Sequence, residues 1–288
     1  MRQIGIIGLG LVGTAIAQRL LRRGTSVIGF DLADLRREGL ELAGGCAVDS
    51  ALAVAAECDL VVLSLPNSDI VSGVLDELEP ALRSGMTIVD TTTGDPLAAE
   101  AAGARLDKFG VRYLDATIVG SSAQVSDGQV VVMVGGEAAA LDAARDVLEA
   151  FASQIFHVGP WGAGSRMKLV VNLVLGLHRA VLAEGLTLAR ALGIDPQRAL
   201  DVLRASAAYS RVMDTKGPKM LAEDFTPQAR LAQHLKDVKL MLAAAERTGT
   251  ELPLSLLHRE LLERVVAAGE GELDNSAIIR AFRPAPPK

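Results

Sequence analysis

The chain has 288 residues, and because half of them are hydrophobic and only 3% aromatic, its core has to be aliphatic. The formal net charge of −6 argues against a nucleic-acid partner, which would require a basic surface. Cys46 and Cys58 form neither a disulfide framework nor a metal-ligand spacing, so two small buried side chains in a reducing cytoplasm are expected. The sequence lacks a cleavable signal and a run of roughly 18 uninterrupted apolar residues, so we expect a cytoplasmic protein without a membrane partner.

Short apolar runs alternate with helical patterns in the first half of the chain. A helix is predicted over residues 14–23, and the predicted strands are 4–8, 26–31, 60–65, 86–90, 111–115 and 130–134. Continuous apolar runs of this length are typical of buried parallel strands. The alternation predicts an α/β Rossmann-type domain over residues 1–160, doubly wound, with a parallel sheet and helices on both of its faces.

Helical periodicity dominates after Trp161, and no strand is predicted there. A long helix is predicted over residues 168–192, because the periodic run ends at Gly193 and Asp195-Pro196 begins the next helix. Further helices are predicted over residues 196–205, 227–247 and 253–268. The pattern predicts an all-α domain over residues 161–288 that begins with a long interdomain helix. Its apolar helix faces predict a homodimer or homotetramer.

A G-x-G-x-x-G motif follows the first predicted strand and consists of Gly8, Leu9, Gly10, Leu11, Val12 and Gly13. Between a strand and a helix, this motif is typical of dinucleotide binding. Gly8 permits a tight turn, Gly10 lets the backbone approach a pyrophosphate, and Gly13 allows the helix to pack closely on the strand. The N-terminus of that helix offers N–H groups and a favourable dipole to the phosphates.

Asp31 ends the second predicted strand, where a carboxylate binds ribose hydroxyls and repels the 2′-phosphate of NADP. Arg36 and Arg37 follow and could meet such a phosphate, but we expect them on the solvated face of the next helix. The sequence therefore favours NAD as the cofactor, with NADP as the alternative.

Two later loops follow predicted strands, at Leu65-Pro66 and at residues 90–96. Open α/β sheets bind ligands at the carboxyl ends of their strands. The second loop contains three threonines, including Thr93, and by composition alone a plain turn with a helix cap is expected there.

Lys168 and Asn172 are four residues apart in an apolar helical segment, so they share one face of the helix. The Lys168 side chain either snorkels to the surface or has a functional role, with its pKa lowered by desolvation. Periodicity alone favours the first alternative.

Together, these motifs resemble those of the β-hydroxyacid dehydrogenase family, which includes 3-hydroxyisobutyrate dehydrogenase and tartronate semialdehyde reductase. The resemblance covers nearly the whole chain and follows the family's order. The matching segments are the glycine motif, Leu65-Pro66, the loop from Asp90 to Pro96, the segment from Asp115 to Gly120, the signature from Gly162 through Lys168 to Asn172, and Phe225 with Lys236-Asp237.

The resemblance implies hydride transfer between NAD(P) and a small β-hydroxyacid or semialdehyde. Lys168 would be the general acid/base, and Asn172 would hold the substrate hydroxyl or carboxylate. Thr93 would lie near the nicotinamide, and Lys236 near the nicotinamide or the substrate, with Asp237 structural. The helical half would resemble the C-terminal domain of 6-phosphogluconate dehydrogenase.

The segment that resembles the family's substrate loop departs from the usual pattern. Thr117 replaces a proline, Val119 replaces a serine, and Ser121 replaces a glycine. The hydroxyl that would bind a substrate carboxylate is absent at position 119, and Ser121 or Ser122 can replace it. We expect Val119, Gly120 and Ser121 to bind a small substrate that carries a carboxylate.

Other functions remain open. An imine reductase resembles this architecture but usually lacks a lysine at the position of Lys168, and a non-enzymatic dinucleotide-binding protein would need no lysine there. A decarboxylating 6-phosphogluconate dehydrogenase would be longer. The scattered histidines show no zinc spacing, so no metal site is expected, and we expect a structural or surface role for His178. Four candidate anion-binding cations, most of them expected at the solvated surface, are Arg179, Arg211, Lys216 and Lys219.

Overall fold

In the computed structural model, which describes residues 3–282, the chain divides into two compact units, Met1–Lys168 and Leu169–Lys288. The first unit contains one sheet whose strands are β1 (Gln3–Ile7), β2 (Ser26–Phe30), β3 (Cys46–Ala47), β4 (Leu60–Leu63), β5 (Thr87–Asp90), β6 (Arg112–Val119), β7 (Val130–Gly136) and β8 (Ala152–Gly159). Its helices are α1 (Leu11–Arg22), α2 (Asp34–Leu42), α3 (Ala51–Glu57), α4 (Ser68–Leu78), α5 (Pro96–Asp107), α6 (Ser122–Asp127) and α7 (Ala138–Phe151). A short 3₁₀ turn follows α4 at Glu79–Ala81.

The strands lie in the order β3-β2-β1-β4-β5-β6-β7-β8. β1 pairs in parallel with β2 on one side and with β4 on the other, so the strand order reverses between β1 and β4. Side chains on both faces of these strands are buried, in two separate apolar cores. The predicted doubly wound α/β fold is confirmed. In such folds ligands bind where the strand order reverses, which here is at the carboxyl ends of β1 and β4.

The expectation of an entirely parallel sheet is wrong at β7, which runs antiparallel to β6. β6 continues to Val119, and only residues 120–129 separate it from β7. A parallel return requires a crossover of about a dozen residues or more, so this connection permits only the antiparallel pairing. The predicted substrate loop is therefore largely strand as far as Val119.

β8 was not predicted, because it follows α7 without a glycine or proline and most of its side chains are exposed at the sheet edge. α1 begins at Leu11, three residues before the predicted start at Thr14, and this earlier start makes Gly10 the N-cap. The expectation of two buried thiols is wrong for Cys46, which is exposed, whereas Cys58 is buried.

The second unit is helical apart from one isolated β-bridge between Arg230 and Asp274 in its described part. Its helices are the remainder of α8 (Ala163–Ala191), then α9 (Pro196–Ala205), α10 (Val212–Ala222), α11 (Leu231–Thr248), α12 (Pro253–Ala267) and a 3₁₀ helix at Asn275–Phe282. The predicted all-α second half is confirmed. α10 was not predicted, because Gly217 and Pro218 inside it weaken the helical pattern.

The two units divide between Lys168 and Leu169, inside α8, rather than at residue 160. Residues 283–288, at the end of the predicted helical domain, lie outside the described range. α8 is long and apolar enough to cross a membrane by length and composition alone, with a mean hydropathy of 1.5 in its 18-residue window. Of that window, 44% is buried within the protein, and the core helix of a soluble protein meets the same criterion.

Candidate active site

The glycine motif has the backbone that a bound dinucleotide requires. Gly8 has a φ of +93°, a conformation that side chains disfavour, and a Cβ on Gly13 would lie 1.9 Å from the carbonyl oxygen of Gly8. A Cβ on Gly10 would meet only Arg36 at 4.0 Å, so the space beside this residue is open. The N-cap of α1 is Gly10, which has no side chain to bond to the N–H groups at the start of the helix. The loop therefore fits a pyrophosphate at the helix N-terminus.

Leu9, Leu11 and Val12 complete the motif. Leu9 is buried, Val12 is half-buried against the core, and Leu11 is exposed. Leu9 and Val12 therefore offer a bound cofactor only their backbone, whereas Leu11 also offers an exposed side chain.

Asp31 follows β2 and connects it to the glycine motif. Its carboxylate accepts hydrogen bonds from the N–H of Leu9 at 2.8 Å, the N–H of Ala33 at 2.9 Å and Nη1 of Arg36 at 3.1 Å. Burial raises the pKa of Asp31, but the bonds from Ala33, Leu9 and Arg36 outweigh it and hold the pKa below its ordinary value. The carboxylate is thus ionised where a ribose would bind. Arg36 is exposed, as expected, although it also bonds to the Asp31 carboxylate, whereas Arg37 is half-buried and donates to the Asp31 carbonyl at 2.6 Å.

The Thr92 side chain links the two predicted cofactor loops by a hydrogen bond. The N–H of Leu65 donates to Oγ1 of Thr92 at 3.1 Å, and the N–H of Thr92 donates to the buried Asp90 carboxylate at 2.9 Å. Pro66 is exposed and Thr93 is half-buried at the same carboxyl edge of the sheet. Leu65, Pro66 and Thr93 are therefore brought to the edge that carries the glycine motif.

Asp90 is buried below this loop, where Tyr113 donates a 3.0 Å hydrogen bond to it and Arg105 and Asp95 line the same cavity of about 170 Å³. Burial raises the pKa of Asp90 to about 6, against the effect of the bonds from Thr92 and Tyr113, and the neighbouring Asp115 raises it further. The folded protein therefore holds a proton here more tightly than the unfolded chain does.

This proton uptake has a measurable effect on stability. A carboxyl with a raised folded-state pKa favours folding at low pH, and that contribution is lost as the pH rises through about 6. Relative to Asp90→Asn, the free energy of unfolding of the wild type should fall by up to about 3 kcal/mol between about pH 4 and about pH 8. Urea unfolding across this range measures the difference, with Asp107→Asn, which removes an exposed carboxylate, as the control. If the difference in unfolding free energy between the wild type and Asp90→Asn stayed constant with pH, the raised pKa of Asp90 would be contradicted.

Asp115 and Thr117 fix β6 to the start of α8, a role that the sequence did not reveal. The Asp115 carboxylate accepts from the N–H groups of Gly162 at 3.0 Å and Ser165 at 2.8 Å. The Thr117 hydroxyl donates to the Gly164 carbonyl at 2.9 Å, so the residue that replaces the family's proline supports the same junction. These contacts fix the first turn of α8 to β6 within the first unit.

Lys168 lies five residues after the start of α8, about one and a half helical turns, and is half-buried. Its Nζ donates a 2.6 Å hydrogen bond to the carbonyl oxygen of Ile118, the residue before Val119 and Gly120. The snorkelling alternative is therefore wrong, because the ammonium group bonds to the backbone at the end of β6. Lys168 and two of the predicted substrate-binding residues lie together.

Ser121 is one of the two residues expected to replace the family's serine, but its hydroxyl bonds to the backbone of α6. Its hydroxyl accepts from the N–H of Gln124 at 3.3 Å and, with the Gln124 side chain, forms a capping box at the start of α6. Gly120 has a φ of +150°, so a side chain there would be strained. The backbone of this turn is thereby held rigid beside Lys168.

In the second unit, Asn172 lies on α8 one turn after Lys168. Its Nδ2 donates to Oδ2 of Asp237 at 3.1 Å, so Asp237 orients Asn172. Lys236 is half-buried on α11, and His178 is exposed.

The expectation of solvated cations is wrong for Arg179 and Lys216, each of which is 8% exposed. Among residues 3–282, no group of three side chains could hold a metal ion.

Comparison with known proteins agrees with this geometry. A family model described as the NAD-binding domain of 6-phosphogluconate dehydrogenase matches residues 3–159, and one described as NAD-binding of NADP-dependent 3-hydroxyisobutyrate dehydrogenase matches residues 162–282. L-threonate dehydrogenase of Cupriavidus necator is 34% identical over 98% of this chain and 96% of its own length.

Solved structures show the same relationship. Mycobacterium tuberculosis 3-hydroxyisobutyrate dehydrogenase with L-serine is 30% identical, with a TM-score of 0.91 over 99% of this chain and 100% of that one. An imine reductase from Pseudomonas sp. covers 98% of this chain and 99% of its own, but its 23% identity and TM-score of 0.66 show the fold alone. The chain therefore belongs to the β-hydroxyacid dehydrogenase family and is an NAD(P)-dependent oxidoreductase of the 3-hydroxyisobutyrate dehydrogenase type.

Proposed function

We propose that the protein transfers a hydride between NAD and the hydroxyl-bearing carbon of a small β-hydroxyacid, with Lys168 as the general acid/base. The bond from Nζ of Lys168 to the Ile118 carbonyl carries this proposal, because it holds the ammonium group beside the predicted substrate-binding turn. L-threonate and L-serine, which appear in the names of two relatives, both combine a carboxylate with a hydroxyl on the β-carbon. This shared group defines the proposed substrate class.

Each of the proposed site residues has a separate role in the reaction. When bound, the nicotinamide supplies the hydride acceptor for oxidation and the hydride donor for reduction. Lys168, as the free amine, takes the hydroxyl proton of the substrate during oxidation and returns it to the carbonyl oxygen during reduction. Asn172, held by Asp237, would donate a hydrogen bond to the substrate. The backbone at Val119, Gly120 and Ser121 would contact its carboxylate.

The cofactor is proposed to be held by the strand ends. The glycine motif would bind the pyrophosphate, Asp31 the adenosine ribose, and Leu65, Pro66 and Thr93 the nicotinamide half, with Lys236 close to the nicotinamide or the substrate. The ionised Asp31 supports NAD over NADP, because a carboxylate at this position repels a 2′-phosphate.

An oligomer is also part of the proposal. In the second unit, α8 exposes Val170, Val174, Val181 and Leu188, whose spacing places them along one side of the helix. We expect a homodimer or homotetramer built on this stripe, in the cytoplasm and without membrane or nucleic-acid partners. Light scattering at micromolar concentration should give a dimeric or tetrameric mass, and a Val174→Lys/Val181→Lys variant should shift it towards the monomer. A monomeric wild type would contradict the expectation.

A spectrophotometric screen tests the reaction. Reduction of NAD and NADP is followed with L-threonate, L-serine and 3-hydroxyisobutyrate, and oxidation of NADH and NADPH with small semialdehydes and cyclic imines. Turnover of a hydroxyacid or its semialdehyde supports the proposal. Turnover of imines alone would favour an imine reductase, and cofactor binding without any turnover would favour a dinucleotide-binding protein.

A further inference from the structure

The face of α8 that carries Asn172 continues into a buried polar cluster in the second unit. Arg179 lies seven residues after Asn172, about two turns along the helix, so the two residues share one face. Gly176 lies between them, and a Cβ there would meet Nε2 of His234 at 2.5 Å and Cε1 of His258 at 2.6 Å. The glycine therefore allows imidazoles from α11 and α12 to pack against α8.

Arg179 is a buried cation for which the described residues provide no hydrogen-bond acceptor. The residue is only 8% exposed, and its side chain makes neither a hydrogen bond nor an ion pair within residues 3–282. Burial lowers the pKa of Arg179 to about 10, although the charges of Asp274 and Asp237 oppose this shift. A guanidinium has five N–H donors, and burying them without acceptors is unfavourable.

The nearby carboxylates, Asp274 and Asp237, accept hydrogen bonds from donors other than Arg179. Asp274 accepts from Nζ of Lys216 at 2.9 and 3.0 Å, and also from the hydroxyl of Ser276 at 2.7 Å. Asp237 accepts from Asn172. Both carboxylates thus act on Arg179 through their charge but do not bond to it.

His258 adds a second polar group without a partner. Its Nε2 is buried and has no hydrogen-bond partner in the described part of the chain. Burial and then the charge of Arg179 lower the pKa of His258 to about 4, so the ring is neutral at physiological pH. As the Nε2–H tautomer, it can donate to an anion.

We propose that Arg179 and His258 form a subsite that binds a carboxylate of the substrate. This carboxylate is the one at the end of the substrate remote from the reacting carbon. A carboxylate can accept two parallel bonds from the guanidinium fork and one from His258. The proposal rests on the proposed function, because Asn172 on the same helix face marks where the reacting end would bind. Within the proposed class, the subsite predicts a preference for β-hydroxyacids that bear a second carboxylate over those, such as L-threonate, that bear only one.

The test compares two probes of equal chain length, succinate with two carboxylates and butyrate with one, by isothermal titration of the full-length protein with NAD present. The wild type should bind succinate at least about 10-fold more tightly than butyrate, as expected for a charge-assisted pair. Arg179→Met should abolish this preference, and Arg179→Lys, which lacks the fork, should reduce it. Arg211→Met, which removes an exposed arginine, should leave it unchanged.

A wild type without preference for succinate would overturn the proposal. So would an Arg179→Met variant that keeps the preference, or, if that variant does not fold, a folded Arg179→Lys variant with the affinity of the wild type. Binding is measured without catalysis. A protein that binds succinate through Arg179 but oxidises no hydroxyacid would therefore contradict the proposed function and not the anion subsite.

Discussion

Replacing Lys168 with methionine should lower kcat for hydroxyacid oxidation by about 10²–10⁴-fold, the usual contribution of a positioned general acid/base. Methionine keeps the apolar stem of the lysine but cannot take up the proton, so binding of NAD should change little. Initial rates measure kcat, and quenching of protein fluorescence by NADH measures cofactor binding.

Arg166→Met is the matched control for this variant. It removes another cation from α8, one that is exposed and pairs with Glu100. Its kcat should stay within about 3-fold of the wild type, since surface ion pairs contribute little. If Lys168→Met kept a rate close to that of Arg166→Met, Lys168 would not be the acid/base.

Replacing Asp31 with asparagine should shift the ratio of kcat/KM for NAD to kcat/KM for NADP towards NADP by on the order of 100-fold. The substitution removes the charge that repels a 2′-phosphate, and juxtaposed like charges cost several kcal/mol. It also releases Arg36, whose Nη1 lies 3.1 Å from the Asp31 carboxylate, to meet that phosphate. The asparagine oxygen can still accept from Leu9 or Ala33.

Asp34→Asn provides the control for the cofactor experiment. Asp34 is an exposed carboxylate three residues further on, paired with Arg37, so its removal changes the local charge by the same amount. The cofactor ratio should be unchanged in this variant. A ratio that is equally unaffected in Asp31→Asn would show that Asp31 does not select the cofactor.

The sequence predicted the features that depend on local pattern. The glycine motif, the buried strands and the long helix are each specified by residues close together in the chain, and the structure has all of them. The direction of β7 is not local, because it depends on how short the connection from β6 is. β8 carries no apolar run and no turn signal, so the pattern alone could not reveal it.

The candidate site shows the same division. Lys168 and Asn172 are visible from their spacing and from the family resemblance, whereas the support of α8 by Asp115 joins residues about fifty positions apart. Similarly, Arg179 looks like a surface cation in the sequence, whereas in the structure it is only 8% exposed. Spacing along one helix gives no information on such neighbours.

Direct detection of hydride transfer tests the central claim. The wild type is incubated with NAD and with L-threonate deuterated at the β-carbon, and the reduced cofactor is examined by mass spectrometry. We expect one deuterium per NADH, formed at a rate that is lost in Lys168→Met. NADH without deuterium, or no reduction with any β-hydroxyacid alongside turnover of cyclic imines, would contradict the account.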